Sequence, residues 1–206
     1  MKISAQGYLD TYHLPWSKSI QPADKVLHSI DHFYGKMVVV TENIEGDLFT
    51  LGANSFYTSK KDIVPDWNYF GVQQLHSLLQ HDISTGITLV GGNLFTAKKI
   101  SCFDNSLAGY FYLATIWENI LGGKEDYCLD YDDIVEYANF FNLVMPKVLY
   151  RGIFDKHNLI DIANKLDGLK IDGYILRTVD GFMRHELNKC VARYASPPSY
   201  HQKLIN

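Results

Sequence analysis

Cysteine is scarce in this chain. Cys102, Cys128 and Cys190 are widely separated, odd in number and form no C-x-x-C pair, which argues against a disulfide-stapled scaffold or a paired-cysteine zinc site and fits a reducing compartment. No segment reaches the roughly 18 uninterrupted apolar residues of a membrane-spanning helix, and the opening MKISAQGYLDTYHLPW lacks the apolar centre of a secretory signal. A soluble, cytoplasmic protein is therefore expected. Basic residues are not in excess either. Lys and Arg number 19 against 23 Asp and Glu, a formal net charge of −4, so phosphates could be held only by a local basic groove and not by the overall field. There is no internal repeat, low-complexity tract or Pro/Ser-rich stretch to mark a linker, and the chain reads as one domain over residues 1–206.

What the sequence does contain is apolar and aromatic residues, at 47% and 14%, enough to build one substantial core. Strand-like runs rich in β-branched and aromatic residues occur at KMVVVTE, DLFTLGA, GITLVGGNLF, GYFYLATIW, MPKVLYRG, DGYILRTV and KCVARYA. Helical runs lie among them. NYFGVQQLHSLLQHD is expected to bury Phe70, Leu75, Leu78 and Leu79. DYDDIVEYANFF opens on Asp130 as an N-cap and spaces Ile134, Val135, Ala138 and Phe141 on one face, and KHNLIDIANKLDG is closed by Gly168. Long strands outnumber helices and include adjacent pairs, which predicts an α+β domain of mainly antiparallel sheets.

The stretch VVVTENIEGDLF, Val38 to Phe49, reads locally as strand, polar turn and second strand, the pattern of a hairpin. Three other strands carry polar punctuation of their own: GGN after GITLV, DGYILR from Asp172, and KCVARY from Lys189. Strand ends from distant parts of a chain are where a cleft collects a site. The order and wording of these segments resemble the ATP-dependent RNA ligase family of the covalent nucleotidyltransferase superfamily. That family reads T-E-K-x-D/H-G, a G-E-N-L-like segment, E-G-Y-V-x-R and a closing strand with basic residues. HLPWS, YFYLATIW and LDYDDIVEYANFFNLVMPKVLYRGIFD are similar to its connecting segments, so the resemblance covers nearly the whole chain. It implies a nucleotidyltransferase (ATP-grasp-like) α+β domain with flanking helices and a central cleft.

The resemblance also implies a mechanism. The motif-one lysine attacks the α-phosphate of ATP, with Mg²⁺ as the companion ion, and AMP then passes to an RNA 5′-phosphate. Here the nucleophile position is Asn43, whose amide nitrogen has no lone pair free for attack. Gly92 stands in place of the G-E-N-L glutamate, Thr58 near an expected basic residue, and Ser196 where a further basic residue is common. Asp172, a shorter stand-in for the motif-four glutamate, is the candidate metal ligand, and either Lys189 or Arg193 aligns with the closing-strand lysine. The remaining nucleotide-binding candidates are Glu42, Ile44, Gly46, Asn93, Gly173 and Arg177. These departures fall in the pocket motifs and hardly in the scaffold, so the catalytic motifs are read as degenerate.

Other eye-catching residues have plainer readings. His28 and His32 have i,i+4 spacing but no third ligand, and are expected on a half-exposed helix face. Asp130, Asp132 and Asp133 suit a helix start, and Lys60, Lys61, Lys98 and Lys99 are either phosphate contacts or a solvated face. Three functions are open. One is a degenerate ligase that binds a nucleotide or an RNA end, a second is an ATP-dependent RNA ligase lacking only its lysine, and a third is a scaffold or regulatory protein that uses its surface alone. The chain ends at Asn206, soon after the last motif, so specificity is expected from this domain or from a partner.

Overall fold

The protein is described by a computed structural model over residues 11–44, 46–58, 67–94, 110–120, 124–169 and 172–196. In chain order the elements are β1 (Tyr12–His13), β2 (Met37–Glu42), β3 (Asp47–Gly52), β4 (Ser55–Thr58), α1 (Trp67–Leu79), β5 (Ile87–Asn93), β6 (Phe111–Ile120), β7 (Glu125–Cys128), α2 (Tyr131–Phe140), β8 (Val148–Ile153), α3 (Lys156–Leu169), β9 (Gly173–Thr178), β10 (Phe182–Met183), α4 (Leu187–Cys190) and β11 (Val191–Ala195). They form two compact units built from interleaved stretches of chain. One takes its described residues from 46–145 and 181–184, the other from 11–44, 146–180 and 185–196. Each has its own sheet, and the pairing is antiparallel except between β1 and β11. Among the described residues no helix is long and apolar enough to cross a membrane.

The six-stranded unit has the order β10-β7-β6-β5-β3-β4. Phe49, Leu51, Leu89, Leu113 and Ile116 of its sheet pack with Val72 and Leu75 of α1 and Ile134 and Ala138 of α2. The buried face of α1 differs from the expected one: Val72, Leu75 and His76 are buried, whereas Phe70 and Leu78 are exposed. Residues 72, 75, 76 and 79 recur at helical spacing, and 70 and 78 fall outside that stripe. His76 Nε2 lies 2.9 Å from the Gly52 carbonyl, so a polar residue takes a place that a count of leucines would not assign. Asp130 does precede α2, but its side chain does not cap the helix. The carboxylate instead accepts the Gly181 N–H at 2.6 Å and the Tyr127 hydroxyl at 3.1 Å, tying the approach to β10 to the start of the helix.

The five-stranded unit has the order β1-β11-β9-β2-β8. Alternation along its strands separates two faces. Val38, Val40, Tyr174, Leu176, Ala192 and Tyr194 share a core with Leu159, Ala163 and Leu166 of α3. That helix continues through Gly168 to Leu169 instead of stopping at the glycine. One internal glycine costs only about 1 kcal/mol, which the buried stripe outweighs. HLPWS clamps this sheet: Leu14 is fully buried, its N–H donates to the Arg193 carbonyl at 2.8 Å, Trp16 Nε1 donates to the Tyr174 hydroxyl at 2.8 Å, and Ser17 bonds the backbone of Arg193 and Ala195.

VVVTENIEGDLF is not a hairpin. β2 pairs with β8 and β9, and β3 pairs with β4 and β5, so the polar turn carries the chain from one sheet to the other. Turn chemistry is local and does not determine which partner each strand takes. The hairpin that does form here joins β3 to β4. His28 and His32 share no helix, because His28 lies in a bend and His32 in a 3₁₀ turn over Asp31–Phe33.

Candidate functional site

The face of the five-stranded sheet away from α3 gathers several of the sequence candidates. Cross-strand register sets Arg151, Val39, Arg177 and Val191 in one row and Val148, Thr41, Ile175, Arg193 and His13 in the next. Asn43 follows β2 directly, and its backbone N–H donates to the Gly173 carbonyl at 3.0 Å. Continued alternation places it on the same face as Thr41 and Val39. Glu42, one residue earlier, is turned to β8: its N–H donates to the Lys147 carbonyl at 2.9 Å and its Oε1 accepts the Lys147 N–H at 3.1 Å. Ile44 and Asp172 are half-buried, and the Asp172 carbonyl accepts the Ser196 N–H at 2.8 Å.

Gly173 has a backbone reason to be glycine. Its φ is +153°, and a β-carbon would strike the Tyr194 carbonyl oxygen and approach the Ala195 Cα to 3.2 Å. The D-G-Y wording thus records the close approach of β9 to β11.

Three arginines stand on this face, exposed Arg151 at the β8 edge and Arg177 and Arg193 nearer the middle. Arg177 is only 2% exposed, with Nε donating to the Thr178 carbonyl at 3.0 Å. Arg193 Nη2 donates to Asp24 Oδ1 at 2.9 Å, and Asp24 Oδ2 lies 3.2 Å from Nε2 of buried His13, a close approach with poor hydrogen-bond alignment. The Gln21 N–H bonded to the Asp24 carboxylate holds its pKa down, and Arg193 and His13 add to this against the opposing effect of burial. Burial first, and then the Arg193 charge, hold the His13 imidazole below the ordinary histidine range, although Asp24 pulls the other way. His13 Nδ1 and Arg193 Nε are buried without a hydrogen-bond partner among the described residues. Sequence reasoning missed both His13 and Asp24. Arg193 lies 169 residues from Asp24, and no motif links them.

Lys189 is exposed on α4, ahead of the strand and not within it. It is close enough to His32 to add to the burial and the Lys36 charge that depress the His32 pKa. In the six-stranded unit Gly46 lies against Asn93, where a β-carbon would meet the Asn93 carbonyl oxygen at 2.8 Å, and Asn93 and Thr58 are buried. Gly92 lies under the Tyr112 ring, whose hydroxyl would be 2.5 Å from a β-carbon there. The room for a glutamate side chain at this position is taken by a phenol. Lys60, Lys61, Lys98 and Lys99 lie outside the described residues.

A scan against protein-family models finds no match, and a search of curated proteins finds none of significance. Solved structures do match. An archaeal ATP-dependent RNA ligase superposes with a TM-score of 0.59 at 12% identity, over 86% of this chain and 47% of that one. A mutant Naegleria gruberi RNA ligase with ATP and Mn gives 0.51 at 15% identity, over 81% and 52%. A putative ATP-dependent DNA ligase from Aquifex aeolicus gives 0.54 at 12%, over 81% and 46%. The chain has the fold of ATP-dependent ligases. It spans about half the length of these structures. Likeness at this identity is a statement about the nucleotidyltransferase fold, with its two mostly antiparallel sheets and few helices.

The residues can be tested against the groups this fold family uses. Among the described residues no three His, Cys, Asp or Glu side chains cluster as a metal cage. A magnesium ion carried by a nucleotide needs only one or two carboxylates beyond the phosphates. Asp172, at the start of β9 beside Gly173, is one carboxylate of the right kind, and Arg177 and Arg193 are of the right charge for phosphate.

Proposed function

We propose that this protein is RNA-ligase-like, that it does not adenylylate itself, and that it retains its site to bind a nucleotide or an RNA 5′-end. The observation that carries the reading is Asn43. It sits at the end of β2, anchored to Gly173, on the sheet face that bears Arg177 and Arg193. The resemblance puts the nucleophilic lysine at this position, and a carboxamide there can accept and donate hydrogen bonds but cannot form a lysyl-adenylate.

Within this reading the chain's own groups bind and orient. Arg193 offers an anion its guanidinium edge but is already partly neutralised by Asp24, so phosphate is held less strongly than by an unpaired cation. Arg177 contributes a buried positive charge, and Asn43 fixes polar atoms by hydrogen bonding. Asp172 is the carboxylate that would hold a nucleotide-borne magnesium ion, whose chemistry is to neutralise phosphate charge.

The test is incubation with α-labelled ATP and Mg²⁺ followed by denaturing electrophoresis, together with calorimetric titration of ATP and of 5′-phosphorylated RNA. An unlabelled protein band, with measurable binding that Arg193→Ala weakens about tenfold, is the expected result. A covalent label would show that another residue serves as nucleophile. Failure to bind either ligand would leave only a scaffold role.

A further inference from the structure

We infer a second binding site, for a base of single-stranded nucleic acid with its phosphate, in the pocket beside the β8 edge of the five-stranded unit. The pocket is about 430 Å³ and is lined by Tyr34, Tyr150, Ile153, Phe154, Asp155, Lys156 and His157. β8 is the outermost strand of its sheet. Tyr150 shares the α3 side with Val40 and Leu176, opposite the face that carries Asn43.

Two aromatic rings are held in place here before any ligand arrives. The Tyr150 hydroxyl donates to the Ile153 carbonyl at 2.6 Å. Its ring lies across Gly152, where a β-carbon would come within 2.7 Å of the hydroxyl oxygen, so only a glycine lets the ring lie flat at this edge. Tyr34 is 54% exposed and is steadied by an edge-to-face contact with Phe154 at 5.2 Å, Phe154 itself stacking on Phe33. Tyr150 is half-buried against the core, so Tyr34 offers the open face, and an accessible ring with fixed orientation is a good stacking platform.

The rim supplies the charge. Lys156 and His157 are exposed, whereas the one carboxylate in the lining, Asp155, is turned to the start of α3, accepting the His157 and Asn158 N–H groups at 2.8 and 3.3 Å. Aromatic faces beside exposed cations match a base next to its phosphate. The assignment extends the proposed nucleotide or RNA-end reading to a separate surface, and the assay keeps the two apart.

The probe is a fluorescein-labelled ten-nucleotide oligoribonucleotide, followed by anisotropy over a salt series, with AMP as competitor. Wild type is expected to bind at low salt. Tyr34→Ala should weaken binding about tenfold, the loss of one stacked base, with the melting temperature lowered by only about 1–6 °C, since a single edge-to-face contact is lost. Lys156→Ala should reduce the salt slope by about one. AMP that competes at concentrations equal to the oligonucleotide would mean a mononucleotide site and overturn the assignment. So would absence of oligonucleotide binding, equal affinity of wild type and Tyr34→Ala, or a concentration-dependent dimer abolished by Ile153→Asp, which would make the occupant a second copy of the chain. Oligonucleotide binding that needs Tyr34 but survives Arg193→Ala would sustain this site even if ATP fails to bind; ATP binding without Tyr34 dependence would do the reverse.

Discussion

Gly173→Ala isolates what the D-G-Y segment does for the fold. The added methyl would meet the Tyr194 carbonyl oxygen and come within 3.0 Å of its carbon. Neither atom can yield cheaply, because Tyr194 is 1% exposed, stacked on Tyr174 at 5.0 Å, and held in register by the β9–β11 ladder. Forcing an extra methylene into packed surroundings costs about 1–3 kcal/mol, and holding alanine at an unfavourable φ costs about 1–3 more. Restricting the unfolded chain returns about 0.4–1 kcal/mol. The net loss is about 1–5 kcal/mol, or roughly 2–20 °C in melting temperature for a chain of this size. Gly35→Ala is the matched control, since Gly35 has φ +77° and nothing within 4 Å of its β-carbon. It carries the backbone penalty alone, about 1–2 kcal/mol. The measurement is thermal unfolding by circular dichroism for both variants under one condition. If Gly173→Ala loses no more than Gly35→Ala, close approach of β11 is not what demands the glycine. The same substitution should disturb Asn43, whose N–H bonds the Gly173 carbonyl, so any ATP affinity should fall with it.

Gly92→Glu alone should destabilise by about 1–3 kcal/mol, because Tyr112 covers the site, and Tyr112→Ala in the same chain should recover much of that loss in a denaturant titration. Asn43→Lys alone is expected to yield no adenylylated band with α-labelled ATP, since the other donors to one transition state act non-additively; strong labelling would favour a ligase missing only its amine. Stability should fall as pH drops below the ordinary histidine value of 6.5: His13 is held neutral in the folded chain by burial and by Arg193, so the unfolded chain binds more protons there. His32, depressed chiefly by burial, acts in the same sense, and His13→Asn should flatten part of the slope in melting temperature between pH 7 and 5.

The long strands were legible because β2, β3, β5, β6, β8, β9 and β11 concentrate β-branched and aromatic residues. The strands that were missed are short: β4 is SFYT, β7 is EDYC, and β1 and β10 have two residues each. β4 and β7 pair with the strands just before them and are too short to show a pattern of their own, whereas β1 and β10 pair with strands far away in sequence, which a local window does not contain. The same limit explains why VVVTENIEGDLF read as a hairpin when its strands join different sheets. Asn43, Gly173, Arg177 and Arg193 were singled out by the wording of strand ends, and register and alternation put them on one sheet face. The Arg193–Asp24–His13 contact changes how much charge the site has to offer, and it was invisible because Asp24 sits in a loop with no periodic or motif signal.

Fold and chemistry make different demands on these segments. Gly173 is required by the Tyr194 carbonyl, and Gly91 by the Tyr112 carbonyl and the Phe49 ring; each of these contacts is to backbone or to the core. Within HLPWS, Leu14, Trp16 and Ser17 are likewise held by internal bonds to Arg193, Tyr174 and Ala195. A chain can therefore keep D-G-Y, GG and HLPWS, and superpose on ATP-dependent ligases, with no selection for ligation at all. The positions free of that structural demand are those where a side chain's only task is chemical. Asn43 makes its described hydrogen bond through the backbone, which any residue there, lysine included, could make as well. Among the described contacts, none requires asparagine over lysine. Under the proposed reading a carboxamide at Asn43 cannot form a phosphoramidate, and the α-labelled ATP assay weighs that against the ligase likeness.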